Sequence, residues 1–143
     1  MDIRQITPTY AVSPQISPDD CQSIADAGFV AIICNRPDME VAPYNRSATI
    51  EAAAIAAGLT FVDLPITHQT MNAENVLAHR AAIDAANGPV FAYCASGTRS
   101  SVVWSLGQAG DMPSDEIIAA TSKAGYDLRG LHPQLEMLAA QRK

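Results

Sequence analysis

Hydrophobic residues along this chain gather into short continuous runs, and each run follows directly on a glycine. The runs span residues 29–34, 59–64 and 89–94, and the preceding glycines are Gly28, Gly58 and Gly88. Glycine closes helices because it adopts left-handed dihedral angles without a steric penalty. Continuous apolar runs are typical of strands that are buried on both faces. The pattern therefore predicts helices that alternate with the strands of a parallel α/β sheet.

Residues that favour helix N-termini support the same alternation. Ser17 precedes Pro18, and Asn72 precedes an Ala-Glu pair, as expected at the start of a helix. The predicted helices span residues 18–27, 47–57, 73–86, 99–109, 114–124 and 132–141. The segment 3–16 alternates polar and apolar residues around two prolines, which predicts one or two short edge strands rather than a central strand. We expect residues 1–143 to form one domain.

Composition and charge exclude several classes of function. The chain has a net charge of −6 and a sequence pI of ≈ 4.8, so a general nucleic-acid or anionic-membrane surface is not expected. No apolar run approaches the roughly 18 residues that would span a bilayer, and the N-terminus has no signal-peptide pattern. We therefore expect a soluble, cytoplasmic protein. Its oligomeric state does not follow from the sequence.

The three cysteines of the chain are Cys21, Cys34 and Cys94. They are widely spaced and form no CxxC pair, so neither a disulfide framework nor a zinc site is predicted. Three free thiols are typical of a reducing compartment. We interpret Cys21 and Cys34 as packing residues, and we expect no metal ion and no cofactor.

The segment from Cys94 to Ser100 follows the third apolar run just where a helix is predicted to begin. Ligands of open α/β sheets bind at the carboxyl ends of the strands, and helix N-termini attract anions. Gly97 lets the loop bend with its amides inward, and Arg99 offers a planar fork to two oxygens. This environment favours a nucleophilic thiolate at Cys94. The predicted anion-binding residues of this loop are Ala95, Ser96, Gly97, Thr98 and Ser100.

Hydroxyl groups near the loop offer further hydrogen bonds to the cysteine sulfur, and we expect one from Ser96, Ser100 or Ser101. The alternative is that this segment is a plain turn, with a small apolar cysteine at the end of a strand. Trp104 follows the loop at helical spacing and is predicted to lie in the core. Three further side chains are predicted to lie on the surface, namely His79, Arg80 and His132.

Two motifs together resemble a known family. Asn35-Arg36-Pro37-Asp38 after the first apolar run and Cys94-Ala95-Ser96-Gly97-Thr98-Arg99-Ser100 are similar to the DUF442 family, the phosphatase-like domain of beta-lactamase hydrolase-like proteins. The resemblance implies a protein-tyrosine-phosphatase-like α/β fold, with a central, mostly parallel sheet of four to five strands and helices on both faces. Members are described as phosphatases or as sulfur transferases. Asn35 and Asp38 are expected to support the loop, and Arg36 to bind the anion or brace the loop.

The Cys94 loop differs from that of tyrosine phosphatases. Those enzymes usually carry His-Cys, five residues and then Arg, whereas here Tyr93 precedes the cysteine and only four residues separate Cys94 from Arg99. The short loop is similar to that of rhodanese sulfurtransferases, in which the cysteine carries sulfur as a persulfide. Phosphatases also need a general acid, usually an aspartate. Residues 65–75 contain none, so His68 is the best candidate and Asp63 a weaker one.

Three hypotheses follow. The preferred one is sulfane-sulfur transfer through a Cys94 persulfide, which the short loop and the missing aspartate favour. The second is phosphate-monoester hydrolysis through a Cys94 phosphocysteine, with His68 as the acid. The third is a module without turnover, which binds anions or senses oxidants through reversible oxidation of Cys94. The first two imply a small anionic substrate.

Overall fold

The computed structural model describes residues 1–142, which form a five-stranded sheet with six α-helices around it. The strands are β1 Arg4–Thr7, β2 Tyr10–Ser13, β3 Ala31–Cys34, β4 Thr60–Asp63 and β5 Val90–Tyr93. The helices are α1 Cys21–Asp26, α2 Ser47–Ala56, α3 Ala73–Ala85, α4 Thr98–Gln108, α5 Ser114–Lys123 and α6 His132–Gln141. The sheet order is β1-β2-β5-β3-β4, and only β1 runs antiparallel to its neighbour. The predicted α/β class and the mostly parallel sheet are confirmed.

Strand β2 corrects one prediction, because it lies inside the sheet and not at an edge. It pairs with β1 on one side and with β5 on the other, and all four of its residues are buried. Pro8 and Pro14 lie outside Tyr10–Ser13, so they remove no hydrogen bond from the strand. Only β1 is the predicted edge strand.

Strand β4 corrects a second prediction. Its apolar run was expected to be buried on both faces, but β4 is the opposite edge of the sheet, and Thr60 and Asp63 are exposed. An apolar run fits a partly covered edge strand as well as a central one, so periodicity does not separate the two positions.

The two faces of the sheet bury separate cores, because successive side chains of a strand point to opposite faces. Phe91 and Tyr93 of β5 pack with residues of α1 and α2, whereas Val90 and Ala92 pack with residues of α3, α4, α5 and α6. Trp104 of α4 is 3% exposed and stacks on Tyr10 with ring centroids 5.8 Å apart. The predicted core position of Trp104 is confirmed, as are helices on both faces.

His79 corrects a third prediction. It was expected on the surface, but it is 0% exposed beneath α4, which packs against α3. It lies three residues after Val76 and four before Ile83, both of which pack in the same core, so it occupies a core-facing helical position. His132 lies at the surface as predicted, with 44% of its side chain exposed, whereas Arg80 is partly buried and its guanidinium donates to the Gly107 carbonyl at 2.7 Å.

Parallel pairing brings the carboxyl ends of four strands to one edge of the sheet. Tyr93, the last residue of β5, lies between Ser13 of β2 and Cys34 of β3. The Cys94 loop and the Asn35-Arg36 segment therefore leave the sheet side by side. Within residues 1–142, no helix combines the length and the apolar character needed to cross a membrane.

Truncation of a central-strand side chain tests this packing. Ile32 of β3 is 0% exposed, so Ile32→Ala is expected to lower the free energy of unfolding by about 2–5 kcal/mol through lost burial and a cavity. Ile55 of α2 is 61% exposed, so Ile55→Ala is expected to change it by less than about 0.5 kcal/mol. Urea denaturation measures both values, and equal effects would contradict the assigned burial.

Candidate active site

The Cys94 loop connects β5 to α4 through a single left-handed residue. Gly97 has a φ of +94°, and its N–H donates to the Cys94 Sγ at 3.1 Å. A Cβ at this position would collide with the hydroxyl of Tyr126, so only glycine fits. Cys94 itself is 0% exposed, whereas Ala95 and Ser96 are exposed above it. The sulfur therefore lies at the base of the loop, with a backbone N–H directed at it.

The carbonyl groups of the loop are held on its outer side. The carbonyl of Ala95 accepts from the N–H of Gln15 at 3.3 Å, and that of Ser96 accepts from the Tyr126 hydroxyl at 2.9 Å. The N–H groups of Ala95 and Ser96 have no acceptor among residues 1–142. Because the carbonyl of one residue and the N–H of the next point in opposite directions, these two bonds turn the N–H groups of Ser96 and Gly97 toward the inner side of the loop.

The nearby hydroxyl groups do not bond to the cysteine sulfur, so that prediction was wrong. Ser96 donates to the Thr98 hydroxyl at 3.0 Å, Ser100 donates to Asn35 Oδ1 at 2.8 Å, and Ser101 donates to the Gly97 carbonyl at 2.8 Å. Hydroxyls in a first helical turn readily bond to nearby backbone and polar groups, as all three do here. The sulfur receives a backbone N–H instead.

Arg99 is held by a carboxylate that sequence analysis missed. Its Nη1 donates to Glu40 Oε2 at 2.9 Å and to the Ile66 carbonyl at 2.9 Å, and its Nη2 donates to Glu40 Oε1 at 2.6 Å. The hydrogen bonds with Glu40 raise the pKa of Arg99, and Cys94 adds a smaller contribution in the same direction. The same hydrogen bonds lower the pKa of Glu40. Three of the five guanidinium N–H groups are thereby used. The Nε–H and the second Nη2–H remain as one edge for a bidentate anion.

Arg36, expected to bind the anion or brace the loop, and Asp38, expected to support the loop, make separate sets of contacts. Arg36 donates from Nε to Glu40 Oε1 at 3.2 Å and from Nη1 to Gln15 Oε1 at 3.2 Å, so it braces the carboxylate that holds Arg99. Asp38 accepts from the N–H of Ser47 at 2.8 Å and so supports the start of α2, not the Cys94 loop. Asn35 does support the loop, through the bond from Ser100.

The two candidate acids differ in their place on the sheet. His68 is exposed in the β4–α3 connection and makes no hydrogen bond within the described residues, although Ile66 two positions earlier contacts Arg99. Asp63 ends β4, which β3 separates from β5, and its carboxylate accepts from the Ser47 hydroxyl at 3.3 Å. Burial raises the pKa of Asp63. Neither group contacts Cys94.

The other two cysteines are packing residues, as predicted. Cys21 and Cys34 are 1% and 2% exposed, and all three cysteines are free thiols. Burial raises the pKa of the Cys34 thiol to about 11, which disfavours its thiolate at neutral pH. Among residues 1–142, no group of three or more His, Cys, Asp or Glu side chains is arranged to hold a metal ion.

Several residues of the site gave little signal in the sequence. Glu40 ends a short 3-10 helix, Asp38–Glu40, and follows Arg36 by four positions, a spacing that predicts side-chain contact only within an α-helix. Gln15 and Tyr126 reach the Cys94 loop from distant parts of the chain. His79 had a detectable signal, since a core-facing position in a helix predicts a buried side chain.

The sheet, the cysteine loop at its carboxyl edge and the arginine of the following helix define the protein-tyrosine-phosphatase-like class. A crystal structure of a "putative phosphatase" from Neisseria meningitidis Z2491 superposes with a TM-score of 0.84 at 36% identity, covering 96% of this chain and 99% of that one. A DUF442 protein from Shewanella putrefaciens CN-32 superposes with a TM-score of 0.73 at 20% identity, over 98% of this chain and 87% of that one. The second likeness supports the fold alone.

The sequence model of the family described as "Beta-lactamase hydrolase-like protein, phosphatase-like domain" matches residues 2–111. The chain belongs to this family, which indicates an enzyme. The beta-lactamase hydrolase-like protein of Xylella fastidiosa strain 9a5c is 32% identical over 143 residues, which are 99% of this chain and 33% of that protein. The chain thus spans about a third of the length of the curated relatives that it matches.

Alanine substitutions at two glycines distinguish a specific effect on the Cys94 loop from the general cost of backbone strain. Gly97 and Gly28 both have positive φ, so alanine is expected to lower the free energy of unfolding by about 1–2 kcal/mol at position 28 and by more at position 97, where the Cβ also collides with Tyr126. Nothing lies near a Cβ at position 28, whereas Tyr126 blocks one at position 97. Only Gly97→Ala should therefore displace the loop and weaken sulfate binding, by about tenfold or more in titration calorimetry. Equal sulfate affinities in the two variants would contradict the assigned site.

Proposed function

We propose that this chain transfers sulfane sulfur through a persulfide on Cys94. Two features of the site, taken together, carry the proposal. A short loop of N–H groups surrounds a single thiol, and no carboxyl group at the site is available as a general acid. Gly97 N–H, the Ala95 and Ser96 amides and one edge of Arg99 all favour negative charge next to the sulfur. None of them donates a proton in a reaction. The site is suited to a group that arrives and leaves as an anion.

The proposed reaction proceeds in two displacements on sulfur. The Cys94 thiolate attacks the outer sulfur of thiosulfate, a new S–S bond forms, and the old S–S bond breaks with its electron pair leaving on sulfite. The Cys94 persulfide anion then loses its outer sulfur to a nucleophile such as cyanide, which yields thiocyanate and restores the thiolate. The loop amides stabilise the terminal sulfur, which carries the negative charge of the intermediate. A persulfide or polysulfide donor follows the same electron flow.

The state of Glu40 supports sulfur transfer over ester hydrolysis. Hydrogen bonds from Arg99 and Arg36 lower the pKa of Glu40, so this carboxylate beside the arginine is held ionised and is a poor proton donor. Asp63 has a raised pKa but lies beyond β3. Sulfite leaves without a proton, whereas an alkoxide or phenoxide leaving group requires one at neutral pH. The charge arrangement therefore matches the first reaction better.

Phosphate-monoester hydrolysis is the second candidate, favoured by the likeness to the Neisseria protein. In this reaction Cys94 would attack phosphorus, the leaving oxygen would depart protonated, and water would hydrolyse the phosphocysteine. The free edge of Arg99 would bind two equatorial oxygens. His68 is the candidate acid, because its loop is joined to Arg99 through the Ile66 carbonyl. A small anionic substrate and a reducing, cytoplasmic setting are part of both proposals, and the latter rests on the three free thiols.

Sulfur loading of Cys94 tests the proposal directly. Reduced wild-type protein incubated with thiosulfate or polysulfide is expected to gain the mass of one sulfur atom on the peptide that contains Cys94, and to lose it when cyanide is added. Cys94→Ser should gain none. Cys21→Ser, which changes a buried thiol in the core formed with α1 and α2, should behave like the wild type. Intact-peptide mass spectrometry measures the modification.

The same samples distinguish the second candidate. If phenyl phosphate, whose leaving group needs a proton, is hydrolysed in a Cys94-dependent manner and His68→Ala slows this turnover, with no sulfur gained from any donor, phosphatase activity replaces sulfur transfer. A protein that gains sulfur and does not hydrolyse the aryl phosphate between pH 5 and pH 8 supports the first proposal.

Sulfur transfer is expected to require the guanidinium group of Arg99, which can make two parallel hydrogen bonds to an anion. Arg99→Lys replaces the fork with a point charge that cannot satisfy Glu40, Ile66 and an anion together, so transfer should fall by about tenfold or more. Arg129→Lys is the matched control, because Arg129 is 81% exposed and pairs only with Asp127. Steady-state thiosulfate:cyanide assays measure both variants. Wild-type rates in Arg99→Lys would show that the arginine is not part of the site.

A further inference from the structure

A group of buried polar side chains lies behind the Cys94 loop, at the first turn of α4. It consists of Tyr10, Asn35, His79 and Ser100, which are at most 1% exposed. They come from β2, the segment after β3, α3 and α4 respectively. Buried polar groups are costly unless their hydrogen bonds are satisfied, so the pairing of each donor and acceptor in this group can be worked out.

The donors and acceptors allow one consistent assignment. Tyr10 has a single hydroxyl hydrogen, which it donates to the Ser100 carbonyl at 2.9 Å. Tyr10 can therefore only accept from His79 Nε2, which lies 3.0 Å away and must carry the hydrogen. In a neutral imidazole Nδ1 is then an acceptor, and it lies 3.3 Å from Asn35 Nδ2, which is a donor.

The remaining bonds close the group into a ring. Asn35 Nδ2 gives its other hydrogen to the Leu64 carbonyl at 3.1 Å, and Asn35 Oδ1 accepts from the Ser100 hydroxyl at 2.8 Å. Hydrogen bonds thus run from the Ser100 hydroxyl through Asn35, His79 and Tyr10 and return to the Ser100 carbonyl. Every side-chain group on this path has a partner of the right kind.

We propose that His79, as the neutral Nε2–H tautomer, is a positioning residue that holds Ser100, and with it the adjacent Arg99 and the loop amides, through this closed hydrogen-bonded ring. The inference rests on the Cys94 loop being an anion site, as proposed above, but not on which group is transferred. Burial lowers the pKa of His79 to about 3, so the imidazole is neutral at physiological pH. A second hydrogen on Nδ1 would face the Asn35 amide donor and break the ring.

The ring also explains why Ser100 does not reach the sulfur. Its hydroxyl donates to Asn35 and its carbonyl accepts from Tyr10, so both groups are engaged within the ring. The residue directly before it is Arg99, whose Cα position follows from the same helical turn. Loss of one ring member would free that turn to shift, and small displacements of anion-binding groups have large effects on binding.

The tautomer is measured by long-range ¹H–¹⁵N correlation spectra of the imidazoles in the full chain at neutral pH. The expected spectrum shows a protonated Nε2 and an unprotonated Nδ1 for His79. A protonated Nδ1, or a doubly protonated ring, would overturn the assignment. His68, which is exposed and makes no hydrogen bond within the described residues, serves as the internal reference.

Tyr10→Phe tests the positioning role, since it removes the hydroxyl while keeping the ring that stacks on Trp104. We expect sulfate affinity, followed through the Gly97 amide signal, to fall roughly fivefold to tenfold. Tyr44→Phe alters a 57% exposed tyrosine and should leave the affinity unchanged. Tyr10→Phe that loses thermal stability but binds sulfate like the wild type would reduce the ring to a packing feature and overturn the proposal.

A double variant tests closure of the ring. Ser100→Ala opens the ring at its other end, so each single variant already frees the turn, and the double variant Tyr10→Phe/Ser100→Ala should bind sulfate more tightly than the product of the two single effects predicts. Purely multiplicative effects would contradict a closed ring. Because the measured quantity is sulfate affinity, the test of the ring is independent of the test of sulfur transfer. If the wild type binds sulfate but gains no sulfur on Cys94, the proposed reaction is wrong and the ring can still be tested.

Discussion

The site depends on one backbone constraint, namely that the chain passes from the end of β5 to the start of α4 with Gly97 in a left-handed conformation. That conformation turns the Gly97 N–H toward the Cys94 sulfur at 3.1 Å. Tyr126 occupies the outer side of the turn, where a Cβ would lie, and binds the Ser96 carbonyl. The same contact that excludes a side chain thereby keeps the loop carbonyls outward and the amides inward.

A second feature follows from the acidity of the chain as a whole. The net charge is −6, so an anion reaches this protein only at a locally positive site. Arg36 and Arg99 share one carboxylate, that of Glu40, and the partly buried cluster is left with an excess of one positive charge. Glu40 accepts from Nη1 and Nη2 at the end of the Arg99 guanidinium, and the edge formed by Nε–H and the second Nη2–H stays available for a ligand. This arrangement orients the arginine without consuming its capacity for an oxyanion or a persulfide.

Much of the fold was predictable from the sequence, because apolar runs after glycines fix strands, and capping residues fix helix starts. The order of the strands in the sheet was not predictable. Pro8 and Pro14 flank β2 without interrupting it, and an apolar strand such as β4 fits either the edge or the centre of a sheet. Cys94 and Arg99 were identified from local spacing. Glu40, Tyr10 and Tyr126 were not, because their roles arise only when distant segments meet. His79 was predicted on the surface, but its position three residues after Val76 and four before Ile83 faces the core.

A crystal structure of the protein soaked with thiosulfate would show whether Cys94 carries sulfur. We expect electron density for one additional sulfur bonded to Cys94 Sγ, surrounded by the amides of Ala95, Ser96 and Gly97, with the Arg99–Glu40 pair intact. Intact thiosulfate lying elsewhere on the surface, with an unmodified Cys94 at saturating concentration, would contradict a sulfur-carrying thiolate in this loop.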